Sequence, residues 1–138
     1  MTRVIAIDYG KARIGLAVSD AMRRIALPLI CLKGHKDLKK NVSETLLFLE
    51  KQQFIELVIG LPLLMNGKDS EITKEVREFA SCLQAALTQP IKLWDERLTS
   101  KQAERILIEE GVKRRKRTTV TDTMAATIIL QSYLDSLS

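Results

Sequence analysis

The chain has 138 residues, of which 46% are hydrophobic, with a formal net charge of +5 and a pI near 9.4. That length suits one domain, residues 1–138, able to bury a core without disulfides or a structural metal. Cys31 and Cys82 stand far apart and outside any CxxC or Cys/His grouping, which argues against a disulfide framework and a zinc site. The longest apolar run, Ile25 to Leu32, contains Pro28 and is far below a membrane span, and no charged-then-apolar leader follows Met1. The expectation is a cytoplasmic protein with no membrane partner. A moderately basic balance suits a polyanion, although many proteins share it and bind none.

Val4 to Ile7 is a short apolar run rich in β-branched residues, which predicts a buried strand ending in Asp8. Alternation puts Asp8 on the face of Val4 and Ala6, and Ile5, Ile7 and Tyr9 on the other. Gly10 permits a tight turn, and Ile14 to Val18 reads as the returning strand of a hairpin. A burial-prone carboxylate needs a cation, a metal or helix N–H groups beside it, whereas an aspartate that merely closes a turn does not. Both readings of Asp8 stand at this point. Ile25 to Leu32 supplies a third strand, with Pro28 marking an edge or a bulge.

From Asp37 the period lengthens. Leu38, Val42, Leu46 and Leu49 predict an amphipathic helix. Leu57 to Ile59 is a brief strand ending at Gly60, and the loop LPLLMNGKD follows, with Asn66 and Gly67 as its turn pair. Ser70 or Asp69 caps a second helix with Ile72, Val76, Phe79, Ala80, Leu83 and Leu87 on its core face. Pro90 stops it, and Ile91 to Asp95 reads as a fifth strand, with Asp95 and Glu96 on opposite faces. Thr99 and Gln102 fit a capping box for a third helix using Ala103, Ile106 and Leu107 and ending at Gly111. After the basic run Lys113, Arg114, Arg115, Lys116 and Arg117, a final helix is expected from about Val120, with Met124, Ile128 and Leu134 inward.

Three antiparallel strands followed by strands separated by helices predict an α/β fold with a mixed five-stranded sheet flanked by helices. Chemistry in such sheets collects at the carboxyl ends of strands, where Asp8 and Glu96 both fall. Asp122 is a third candidate, though an acid in a helix's first turn is also favoured by the macrodipole. If the three acids converge, hard oxygen ligands without His or Cys select Mg²⁺ or Mn²⁺. Two such ions about 3.5–4 Å apart activate water against a phosphodiester. Lys11, Arg13, Arg97 and the run Lys113 to Arg117 would then hold the phosphate backbone of a nucleic acid; the alternative for the run is a solvated loop.

DYGKARIGLAVSD, VIGLPLLMNG, LWDERLTS and TDTMAATIILQSYLD stand in the order and approximate spacing of a known family. Over nearly its whole length the chain resembles the YqgF-type family of RNase H-like proteins, described as Holliday junction resolvases and pre-16S ribosomal RNA nucleases. The resemblance implies an RNase H-like sheet and a metal site of Asp8, Glu96 and Asp122, and it favours Glu96 over Asp95. It also implies hydrolysis of structured RNA, with the 5′ end of pre-16S rRNA the task. The chain departs from the family pattern at Leu64 and Asn66, and Asp20 reads as a turn or supporting group. Alternatives are a junction resolvase acting on branched DNA, which would need a homodimer where the nuclease can be a monomer, and a non-catalytic RNA-binding module. The length argues against a sugar-kinase or actin-like ATPase, which would need a second domain to close over a nucleotide.

Overall fold

The computed structural model describes residues 2–99 and 114–137, and of 114–122 the backbone alone. Strands β1 (Val4–Asp8), β2 (Arg13–Ser19), β3 (Ala26–Lys33), β4 (Glu56–Leu61) and β5 (Ile91–Asp95) form one sheet in the order β3-β2-β1-β4-β5. β1 pairs antiparallel with β2, and β2 with β3, while β4 joins β1 and β5 joins β4 in parallel. The expected mixed sheet is the observed one.

β1 lies at its centre, and Val4 to Ile7 are almost wholly buried, as an apolar run between two covered faces requires. On one face Ile5, Ile7, Ile14, Leu16, Leu57 and Ile59 pack with Phe79 and Leu83 of helix α2 (Glu71–Ala86) and Leu49 of helix α1 (Leu38–Leu49). On the other, Val4, Ala6, Ala17, Ala26 and Val58 meet Ala126, Leu130 and Tyr133 of helix α3 (Arg114–Ser136). The three alanines of that sheet face present little side chain, so α3 lies close against it.

Helix ends follow the sequence. Asp37 accepts from the Lys39 N–H to cap α1, and Ser70, with Thr73, forms a reciprocal capping box on α2. Asp69 pairs instead with Arg77 at 2.8 Å. Pro28 sits on the edge strand opposite Ala17, beside a register shift between Leu16 and Ala17, so both expectations for it hold. Asp20 accepts the N–H groups of Arg24 and Ile25 and closes the β2–β3 turn, where Arg23 has φ 56°. Those N–H groups hold its carboxyl below the ordinary range.

Two expectations need correction. α3 begins at Arg114, not near Val120, so the basic residues Arg114 to Arg117 lie within the helix. Long cationic side chains are good helix formers, and nothing in that run breaks a helix. Its buried face is Thr123, Ala126, Thr127, Ile129, Leu130, Gln131, Tyr133 and Leu134, whereas Met124 and Ile128 are only half-buried. The sequence reading assigned the core to large apolar residues, but small and hydroxyl-bearing ones let the helix approach the alanine face. Thr127 Oγ1 donates to the Thr123 carbonyl at 2.8 Å, and Gln131 accepts the Ala26 N–H and donates to the Arg24 carbonyl, each at 2.9 Å. The expected helix between Thr99 and Gly111, and Lys113, lie outside the described residues.

Candidate carboxylate site at the strand ends

Asp8 ends β1 on the α3 side, half-buried, by the alternation that buries Val4 and Ala6 there. Glu96 follows β5 directly and opens a short 3-10 turn, Glu96–Leu98. Strand order puts β4 between these two acids, so their side chains meet only by crossing it. The crossing point is Gly60, one residue past the Ile7–Ile59 pair and opposite Trp94. A Cβ on Gly60 would stand 2.7 Å from Glu96 Oε1 and 2.5 Å from Ile129 Cδ1. The missing side chain is the space in which the Glu96 carboxyl lies.

There the two carboxyls share a hydrogen bond. Burial, then the Asp8 charge and its hydrogen bond, then the Asp95 charge push Glu96 up to about 7. Burial also raises Asp8, against the lowering effect of the Glu96 hydrogen bond. Glu96 therefore holds the shared proton and donates it to Asp8. As pH rises through neutrality, the pair becomes two adjacent anions in a partly desolvated cleft. This cleft of about 330 Å³ is lined by Asp8, Glu96, Thr99, Ala125, Ile128 and Ile129. Two hard oxygen donors that repel one another, with no nitrogen or sulfur donor among the described residues that line the cleft, fit a hard divalent cation.

Among the described residues no group of three or more His, Cys, Asp or Glu converges to hold a metal. The third predicted acid, Asp122, is described by its backbone alone. It falls in the third turn of α3, eight residues past its start, so the reading of it as a first-turn acid loses its basis. Its helical position is three residues before Ala125 and seven before Ile129, both of which line the cleft.

The predicted cations separate. Lys11 is exposed, 3.6 Å from Glu75. Arg13 is exposed at the start of β2. Arg97 grips Asp95, with Nη2–Oδ2 at 2.7 Å, and donates Nη1 to the Met65 carbonyl at 3.3 Å. Asp95 thus anchors Arg97 and the loop after β4, which is why it is not beside Asp8. Lys113 lies outside the described residues, and Arg114, Arg115, Lys116 and Arg117 are placed by backbone only. Sequence reasoning used Gly60 as a strand terminator and missed its role as the passage for Glu96. The available signal was a glycine on the Val58 side of a buried strand.

The chain matches the family model described as RuvX, Holliday junction resolvase, over residues 2–136. It belongs to the RuvX family. The YqgF-type resemblance drawn from the motifs is to this same family. RuvX relatives named "Putative pre-16S rRNA nuclease" include that of Protochlamydia amoebophila, 46% identical over 98% of this chain and 94% of its own. That of Dictyoglomus thermophilum is 42% identical over 99% and 97%. In fold, the chain is similar to Thermus thermophilus RuvC in complex with a Holliday junction substrate, with TM-score 0.61 at 15% identity over 99% of this chain and 96% of that one. The RNase H-like architecture is thereby shown. No helix among the described residues is long and apolar enough to cross a membrane.

Proposed function

We propose that this single domain is a metal-dependent nuclease that hydrolyses phosphodiester bonds of structured RNA, with the 5′ end of pre-16S rRNA as its task. Asp8, Glu96 and Asp122 would hold Mg²⁺ or Mn²⁺. The observation that carries the reading is the Asp8–Glu96 pair: two carboxyls brought across a glycine into a cleft that supplies no cation among the described residues. Maintaining like charges there is costly, and a divalent ion offsets the cost. When bound, such an ion lowers the pKa of a water and neutralises charge on the phosphate oxygens. Asp8 is set by its strand, Glu96 by the 3-10 turn and Gly60, and Ala125, Ile128 and Ile129 limit water around them. The cationic run at the start of α3, with Lys11, Arg13 and Arg97, supports attraction of a polyanion.

The relatives' name favours the RNA substrate, and the family description favours branched DNA as the second reading. Cleavage of both substrates is measured with Mn²⁺ and with chelator, for the unaltered chain and Asp8→Asn. Metal-dependent cleavage of precursor RNA, lost in the variant, is expected. Cleavage that survives Asp8→Asn would sink the site assignment, and cutting of four-way DNA alone would transfer the function to the resolvase reading. A location in the cytoplasm and action as a monomer or homodimer complete the proposal.

A further inference from the structure

β1, β4 and β5 run parallel, with β4 in the middle, so Asp8, Leu61 and Asp95 finish at the same end of the sheet. The loop after Leu61 therefore leaves the sheet between Asp8 and Glu96. Its first part is anchored, with Leu63 packed against the core. Its tip carries apolar side chains into solvent. Met65 is 91% exposed, more than any other large apolar side chain among the described residues, and Leu64 beside it is exposed too. So is Leu98, on the turn that opens with Glu96.

The tip is built rigidly. The Gly67 N–H donates to the Leu64 carbonyl at 2.8 Å, closing a turn with Met65 and Asn66 at its centre, and the Leu64 N–H donates to the Lys68 carbonyl at 2.9 Å. Asn66 Oδ1 accepts the Lys68 N–H at 3.0 Å, and Gly67 adopts a φ of 83° that a side chain would strain. Thr73, in the capping box of α2, donates its hydroxyl to the Pro62 carbonyl. Arg97, held by Asp95, donates Nη1 to the Met65 carbonyl, and that same nitrogen lies 3.6 Å from where a Gly67 Cβ would stand. The residue after Glu96 thus braces the tip from the acid side. Most residues fit the central position that Met65 occupies, so the turn itself does not require a methionine there.

We infer that Met65, flanked by Leu64 and Leu98, is a wedge that packs on a nucleobase unstacked where an RNA duplex gives way to single strand, and so sets which phosphate lies at Asp8 and Glu96. This rests on the nuclease reading and gives that site a means of selecting structured RNA. Methionine and leucine are among the side chains that enter base steps, and every base offers an apolar face whatever the sequence. A tip already fixed by its own hydrogen bonds loses little conformational freedom on binding. Lys68, exposed just past the turn, supplies a cation for the adjoining phosphate.

The test is equilibrium binding of the full chain, in chelator, to an RNA duplex with a single-stranded overhang and to a continuous duplex of the same paired sequence, with 2-aminopurine as the first unpaired base. The unaltered chain should prefer the overhang RNA and brighten the 2-aminopurine, whose emission is quenched by stacked neighbours. Met65→Ser should weaken binding to the overhang RNA by about tenfold and abolish the brightening, with continuous-duplex affinity and the melting temperature unchanged. Met65→Leu should restore both. Leu47→Ser, at an exposed apolar position on α1, should change neither. Equal affinity of the unaltered chain for the two RNAs, no binding to either, an unmoved preference in Met65→Ser, or an equal loss in Leu47→Ser would overturn the wedge. Because the measurement is metal-free, cleavage surviving Asp8→Asn would remove the carboxylate reading without touching this result.

Discussion

Asp8 and Tyr9 are neighbours in the chain that face opposite sides of the sheet, and their surroundings differ in kind. Tyr9 is 6% exposed; its hydroxyl donates to Glu75 at 2.5 Å and accepts from Asn41 at 2.9 Å. Asn41, fully buried, also accepts the His35 N–H and donates to the His35 carbonyl, so each polar group has a partner. Burial and the Glu75 carboxylate push the Tyr9 hydroxyl up to about 12, which keeps it neutral. On the other side, among the described residues, the partner of Asp8 is another acid. A satisfied network holds structure together, whereas paired acids without a cation retain the capacity to bind one.

The difference can be broken most severely at Asp8. Asp8→Asn should reduce metal-dependent cleavage by about 100-fold or more, the scale of losing one electrostatic stabiliser, while preserving the melting temperature in chelator. Gly60→Ala comes next: its methyl would displace the Glu96 carboxyl or Ile129, and about a 10- to 100-fold loss of cleavage with weaker Mn²⁺-induced thermal stabilisation is expected. An unaltered Mn²⁺ response would show that the passage tolerates a side chain.

On the Tyr9 side the signature reverses. Asn41→Ala should cost about 2 kcal/mol in denaturant unfolding, by leaving the His35 backbone groups and one Tyr9 contact unsatisfied, with cleavage per folded molecule retained. The remaining signature is in pH. The folded chain keeps the Glu96 proton up to about 7, whereas the unfolded chain releases it near the ordinary 4.5, so metal-free stability should decline as pH rises between those values. Glu96→Gln should flatten that decline, and Mn²⁺ should oppose it in the unaltered chain. Thermal unfolding from pH 4.5 to 8 reads both.

Much of the architecture was legible locally. The change from a strand run to helical spacing at Asp37, the cap at Ser70 and the proline on an edge strand are short-range signals set by sterics and hydrogen bonding. α3 was read less well. Its inward face uses Thr123, Ala126 and Thr127, residues whose burial depends on the alanines of other strands, so apolar size misled. For Arg97, read as a phosphate contact, the sequence did not show that Asp95 and the Met65 carbonyl hold its side chain.

By itself the sequence determined the strand and helix order, the face on which Asp8 stands and, through its motifs, the family. These follow from alternation, periodicity and residue identity, which are written along the chain. Only the tertiary structure decided that Glu96 reaches Asp8 through the gap at Gly60, and that the loop bearing Met65 leaves the sheet between those two acids. Both depend on strand order and register, and register is settled by which faces find cover rather than by any one segment.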